Sequence, residues 1–146
     1  MRLQITTNVE QSAEQVMAGF NEKLFLKLNP PFPPVRLLRF DGSKKGDIVS
    51  LELNFLLFKQ KWVSEITADE QGQDYFLFID EGRKLPFMLS YWRHEHRIEV
   101  RPKGAAIIDY ITYESGNKFF SLLLYPIMVL QFLYRKPIYT KVFRAC

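Results

Sequence analysis

A chain of 146 residues, 47% hydrophobic and 25% charged, can build one real core and is too short for two. Its net charge of +4 is not spread evenly: residues 1–134 balance 16 Lys and Arg against 16 Asp and Glu, so the excess lies in Arg135, Lys136, Lys141 and Arg144. Such a basic tail suits a helix C-terminus or contact with anionic lipid, and it excludes a nucleic-acid groove, which needs a basic face interleaved with donors or aromatic rings.

The chain opens with Leu3, Ile5, Thr7 and Val9 in alternation, the period of a strand with one buried face. Ser12-Ala-Glu-Gln15 reads as a capping box, and Val16, Phe20, Leu24 and Leu28 follow at i+4 spacing as a helical stripe, which Gly19 and Asn21 split into two short helices. Asn29-Pro-Pro-Phe-Pro-Pro34 ends the helix. A signalling domain would read such a run as a ligand, but between two structured segments it is a rigid connector. Short strands are predicted over residues 35–40, 47–55, 61–67 and 75–80, separated by turns at Asp41-Gly42, Lys44-Lys45-Gly46 and Gln71-Gly72.

Residues 91–100 alternate without a slip. Arg93, Glu95, Arg97 and Glu99 take one face; Trp92, His94, His96, Ile98 and Val100 take the other, which is the buried one. Arg101-Pro102-Lys103-Gly104 is a turn, and 105–114 is a second strand with Ile107, Asp109, Ile111 and Tyr113 in phase. If Val100 pairs with Ala105, then Ile98 faces Ile107, His96 faces Asp109, His94 faces Ile111 and Trp92 faces Tyr113. Both histidines of the chain thus join Asp109 and Tyr113 in a polar cluster on an otherwise apolar inner face, with His96 and Asp109 expected as hydrogen-bonded partners. Asn117 is placed to cap a last helix over residues 119–134. That segment is nearly all apolar but shorter than the ~20 residues of a membrane span and broken by Pro126, so it reads as a buried, kinked helix. Its surface exceeds what one sheet can cover, and the remainder suits a homodimer face or transient membrane contact. The lone cysteine, Cys146, is the final residue, so no internal disulfide and a reducing, cytoplasmic setting are expected; residues 1–7 lack an apolar signal core.

The order strand, one or two helices, about six strands, one long helix predicts a single α+β domain over residues 1–146, an antiparallel meander curved around the C-terminal helix. Gaps between such a sheet and its helix are where small apolar ligands bind. Taken in order, Asn29-Pro-Pro-Phe-Pro-Pro, Arg39-Phe-Asp-Gly42, Gly46-Asp47, Trp62 with Ile66-Thr67, Phe78-Ile-Asp80, Trp92-Arg-His94-Glu-His96, Asp109-Tyr-Ile-Thr-Tyr113 and Tyr134-Arg135 with Phe143 resemble the START-like, or SRPBCC, superfamily. More narrowly they are similar to its bacterial single-domain members with a Trp-x-His-x-His strand followed by an Asp-x-x-x-Tyr strand. The resemblance implies a helix-grip fold around a hydrophobic cavity, among relatives that include lipid carriers, pollen-allergen proteins and polyketide cyclases. One departure is local: many relatives have Pro after the Tyr-x segment, where this chain reads Tyr113-Glu-Ser-Gly116.

The residue types bound the chemistry. His94-x-His96 with Asp109 on the same face has the composition of a two-His-one-carboxylate metal site, but the cupin spacing fails because Glu99 lies on the opposite face, and no metal or cofactor is assigned. A histidine paired with Asp109 is half of an acid–base device, with Tyr113 as its acid, and would suit a cyclase- or dehydratase-like reaction. No nucleophile accompanies it: the cysteine is terminal and no Gly-x-Ser-x-Gly elbow occurs. The favoured reading is therefore a binding protein rather than an enzyme, holding a small apolar or lipidic ligand against Trp62, Trp92, His94, His96, Asp109, Tyr113, Phe120 and Leu124. The other two readings are the cyclase-like enzyme and a lipid-sensing module at a membrane surface.

Overall fold

The structure, a computed structural model, describes residues 1–145; Cys146 lies outside the described residues. Two side-chain caps begin the helical part of the chain. The reciprocal Ser12–Gln15 box opens α1 (Ala13–Ala18), and Asn21 accepts from the Leu24 amide to open α2 (Glu22–Leu28). The split at Gly19 is also steric, since a Cβ there would lie 2.5 Å from the Phe143 ring. The connector after α2 contains a cis Phe32–Pro33 bond.

Around these helices seven antiparallel strands form one sheet in the order β1-β7-β6-β5-β4-β3-β2. They are β1 (Arg2–Val9), β2 (Val35–Phe40), β3 (Ile48–Asn54), β4 (Lys59–Gln71), β5 (Tyr75–Lys84), β6 (Tyr91–Val100) and β7 (Ala105–Glu114). The meander runs from β2 to β7, and β1 returns to close on β7 with Ile5 opposite Asp109. The β6–β7 register is the expected one: Val100 opposite Ala105, Ile98 opposite Ile107, His96 opposite Asp109, His94 opposite Ile111 and Trp92 opposite Tyr113. Gly104 makes the tight turn possible, with φ +84° and no room for a Cβ, which would fall 2.0 Å from the Val9 carbonyl oxygen. Strands β4 and β5 are longer than the sequence suggested, because their pairing passes through two irregularities, between Val63 and Ser64 and between Ile66 and Ala68. Irregularities of this kind add twist and bend a sheet, and they let long strands curve around a core.

Asn117 caps α3 (Lys118–Leu133) by accepting from the Phe120 amide, and Pro126 lies inside the helix. The expected basic tail is instead a second helix, α4 (Arg135–Val142), which follows α3 at Tyr134. Pro137 explains the break: it cannot donate the backbone bond that would continue α3, yet it is tolerated in the first turn of a new helix. Tyr139 and Phe143 of this segment are buried with Val16, Leu24 and Ile107 in one half of the core, and Lys136 donates through Nζ to the Thr6 carbonyl. The other half gathers Leu3, Trp92, Ile111 and Tyr113 against Met128 and Phe132 of α3. The long helix is thus buried along one face only. Phe119, Leu122 and Leu130 are exposed, the remainder of apolar surface that one sheet cannot cover. Among the described residues no helix is long and apolar enough to cross a membrane.

Candidate functional site

The sheet, α2 and α3 enclose a cavity of about 470 Å³ whose walls are mainly apolar side chains, among them Leu24, Phe40, Leu51, Ile66, Leu124 and Met128. Asp80 and His94 with His96, from the adjoining strands β5 and β6, and Arg135 of α4 are its charged or titratable lining groups, and Trp62 and Trp92 line it too; Asn21, Asn29, Ser43, Ser64 and Gln131 supply neutral polar groups elsewhere on the wall. Strand alternation puts Trp92, His94 and His96 on the inner face, and pairing of Asp80 with His94 and of Phe78 with His96 puts Asp80 there too. The indoles of Trp62 and Trp92 meet edge to face at 4.8 Å, and the Trp62 ring nitrogen donates to Ser64 Oγ at 3.0 Å.

The hydrogen bonds of the cluster run diagonally. His94 is directly opposite Asp80 but bonds through Nε2 to Asp109 Oδ1 at 2.8 Å; His96 is directly opposite Asp109 but bonds through Nε2 to Asp80 Oδ2 at 2.7 Å. The His96–Asp109 bond expected from the hairpin is therefore corrected: the register holds, but the nearest approach of that pair is 4.0 Å. The reason is packing. The His96 ring stacks on Phe78 at 4.2 Å and 11°, which leans it toward β5 and leaves Asp109 to His94. Trp92 Nε1 donates to Asp80 Oδ1 at 2.9 Å, fixing the carboxylate from its other side.

Burial decides the protonation of this group. Enclosure with His96 alongside pushes His94 down to about 4 despite the two carboxylates, so the ring is neutral near pH 7. Burial alone would raise Asp80 and Asp109, but hydrogen bonds from His96 and His94 and the charges around them outweigh it and hold both carboxyls below the usual range. A neutral His94 beside ionised Asp109 must donate from Nε2. Its Nδ1 lone pair is then left facing Asp80 Oδ2 at 3.6 Å. His96 Nδ1 and Asp109 Oδ2 are buried without a hydrogen-bond partner among the described residues.

Of the residues expected at the site, Trp62, Trp92, His94, His96 and Leu124 line the cavity. Asp109 is 1% exposed and stands behind His94, reaching the cavity only through that ring. Tyr113 is fully buried and donates to the Ser121 carbonyl at 2.8 Å, pinning the first turn of α3 to β7, and Phe120 is 52% exposed on the outer side of the helix. Two residues at the cavity were missed. Asp80 shares the inner phase of β5 with Phe78, but residues 85–90 connect β5 to β6 through a loop too long to fix register. Arg135 reads in the sequence as part of a basic tail and of the family resemblance, with nothing to place it at the cavity; its guanidinium lies 4.4 Å over the Phe132 ring and helps hold Asp109 low.

No family model matches the sequence, and no curated protein matches it. Solved structures do. Protein Ms6760 from Mycobacterium smegmatis superposes with a TM-score of 0.70 at 16% identity, over 99% of this chain and 91% of that one. An aromatase/cyclase, ZhuI, from Streptomyces gives 0.66 at 12% identity over 94% and 89%. Truncated norcoclaurine synthase from Thalictrum flavum gives 0.63 at 13% identity over 87% and 82%. With seven antiparallel strands curved against a bent C-terminal helix, the chain has the START-like helix-grip fold.

Proposed function

We propose that this domain binds a small, mainly apolar or lipidic molecule between the sheet and α3, with the ligand's polar group directed at Asp80, His94, His96 and Arg135. The observation that carries the reading is the cavity itself: about 470 Å³, mainly apolar, with Asp80, His94, His96 and Arg135 as its titratable or charged lining groups. Burying ~200 Å² of apolar ligand surface there is worth about 5 kcal/mol before ordering costs, enough for micromolar to millimolar affinity. A lipidic ligand is supported further by the residues around the helix and the neighbouring loops. Leu57 is 95% exposed, Phe87 67% and Leu130 67%, and such a rim suits passing contact with a membrane or with a second copy of the chain.

Trp62 and Trp92 supply the test. Titration with fatty acids, flavonoids and aromatic polyketide mimics is expected to quench their fluorescence saturably for one class, and Leu124→Trp, which puts a bulkier side chain into the cavity, is expected to weaken the effect. No saturable change with any of these classes would remove the binding reading.

A second reading, proton-transfer catalysis on a bound substrate, is favoured by one feature. His94 lines the cavity while its far nitrogen donates to the buried carboxylate of Asp109, an arrangement that orients an imidazole for acid–base work. Two of the similar structures are named as a cyclase and a synthase. Turnover of any compound found to bind, lost in His94→Gln with binding retained, would promote this reading over carriage alone.

A further inference from the structure

We propose that Asp80 Oδ2, His94 Nδ1 and His96 Nε2 form a three-ligand site for a divalent first-row transition-metal ion in the cavity wall where β5 and β6 meet. The three residues each offer a ligand atom within 4.8 Å of the others', and Asp80 Oδ2 lies 3.6 Å from His94 Nδ1 and 2.7 Å from His96 Nε2. An ion ~2.1 Å from each donor in a tetrahedral arrangement separates its ligands by ~3.4 Å, so the His94–Asp80 spacing already fits and the His96–Asp80 spacing opens by less than 1 Å.

The hydrogen bonds behind these atoms are those a metal site requires. His94 donates from Nε2 to Asp109, which fixes its tautomer and turns the Nδ1 lone pair toward Asp80. A carboxylate behind a ligating histidine in this way is the usual outer support of such an ion. Trp92 Nε1 holds Asp80 Oδ1 and leaves Oδ2 to ligate. Without a cation, a lone pair faces a carboxylate across 3.6 Å in a buried setting, and that repulsion has no compensating proton between the two atoms.

The same event accounts for two further orphans. When the ion takes the Nε2 lone pair of His96, the proton now given to Asp80 relocates to Nδ1. That nitrogen is buried and unpartnered, and it lies 4.0 Å from Asp109 Oδ1, next to the equally unpartnered Oδ2. Asp109 would then support both histidines. Asp80, His94 and His96 all line the cavity, so the open positions of the ion face the ligand space and would take an oxygen of the bound molecule. The site rests on its own side chains and holds whether or not an apolar ligand binds.

The test uses the full chain with Cys146→Ser, which removes its one thiol, stripped with chelator and titrated with Zn²⁺ or Co²⁺ by calorimetry. Binding is expected to saturate at one ion per chain and to raise the thermal midpoint. Asp80→Asn and His96→Gln are expected to weaken it more than ~10-fold, and Asp109→Asn by ~10- to 100-fold, while Glu95→Gln on the outer face of β6 leaves it unchanged. Because the chain has two histidines, the ¹⁵N spectrum of the unsubstituted rings reads the tautomers directly, whether or not the variants fold. Zinc is expected to move the His96 proton from Nε2 to Nδ1 and to leave the His94 proton on Nε2. The proposal is overturned by the absence of stoichiometric binding, by binding that survives Asp80→Asn, or by a His96 tautomer that zinc leaves unchanged.

Discussion

Asp80 and His94 are register partners across β5 and β6, yet they hydrogen-bond past one another, Asp80 to His96 and His94 to Asp109. Three strands are cross-braced by two diagonal bonds as a result, and the inner face of the sheet carries its polar groups as one connected cluster. Such clusters act as a unit, so removal of one member is felt by all.

Asp109 is the member with the least solvent. Asp109→Ala leaves the buried His94 Nε2–H without an acceptor and is expected to destabilise the fold by about 3 kcal/mol or more, the range for breaking a buried pair. Urea unfolding measures this as a shift in midpoint. A midpoint close to that of the unsubstituted protein would mean that water or a rearranged neighbour takes over the bond.

Stability is also expected to depend on pH in a window set by His94. Its proton affinity is lowered on folding, from 6.5 to about 4, so between those values the unfolded chain binds a proton that the native state does not. Stability from this group is fully present above pH 6.5, erodes as pH falls toward 4, and totals on the order of 3 kcal/mol. Asp80 and Asp109 are held low and add their losses below that window. Urea midpoints measured from pH 7 to 4 in EDTA, so that no metal contributes, check the slope; a flat profile across this range contradicts a neutral, buried His94.

The polar cluster also marks how far the sequence could be read. Strict alternation in 91–100 and the Arg101–Gly104 turn were enough to set the register of β6 on β7, because a two-residue period and a tight turn leave one pairing. The hydrogen bonds within that register were not legible. They follow from the ring of His96 stacking on Phe78 and from Asp80, which arrives on a strand joined by a long loop. Tyr113 and Phe120 carried a similar ambiguity: each has the right type for a cavity wall, but the rotation of α3 places Tyr113 under its first turn and Phe120 outside. The helix split at Pro137 was written in the sequence and masked by the surrounding basic residues.

Tyr113→Phe removes the bond to the Ser121 carbonyl and little else. A loss of about 1 kcal/mol in stability is expected, with ligand affinity unchanged, since the hydroxyl serves the attachment of α3 and not the cavity wall. Phe120→Ser, on the exposed side of the same turn, is expected to change stability by less than about 0.5 kcal/mol. Denaturation and fluorescence titration of both variants separate the two roles; a selective loss of binding in Tyr113→Phe would return this residue to the site.

Arg135 makes a prediction about which polar group the ligand carries. Arg135 lines the same cavity as the neutral His94, and its guanidinium packs 4.4 Å over the Phe132 ring, which holds it in place. A hydrogen bond to a charged partner is worth roughly 1.5–3 kcal/mol, so a ligand carboxylate reaching Arg135 gains ~10-fold or more in affinity over the matching alcohol. Arg135→Gln keeps most of the side-chain length and removes the charge. It is expected to erase the preference for a fatty acid over the fatty alcohol of equal length while leaving alcohol binding within about 2-fold, read as the ratio of the two dissociation constants. An undiminished preference in Arg135→Gln would place the ligand's polar group elsewhere along the cavity, and an equal loss for acid and alcohol would mean that the side chain acts through packing against Phe132 and not through its charge.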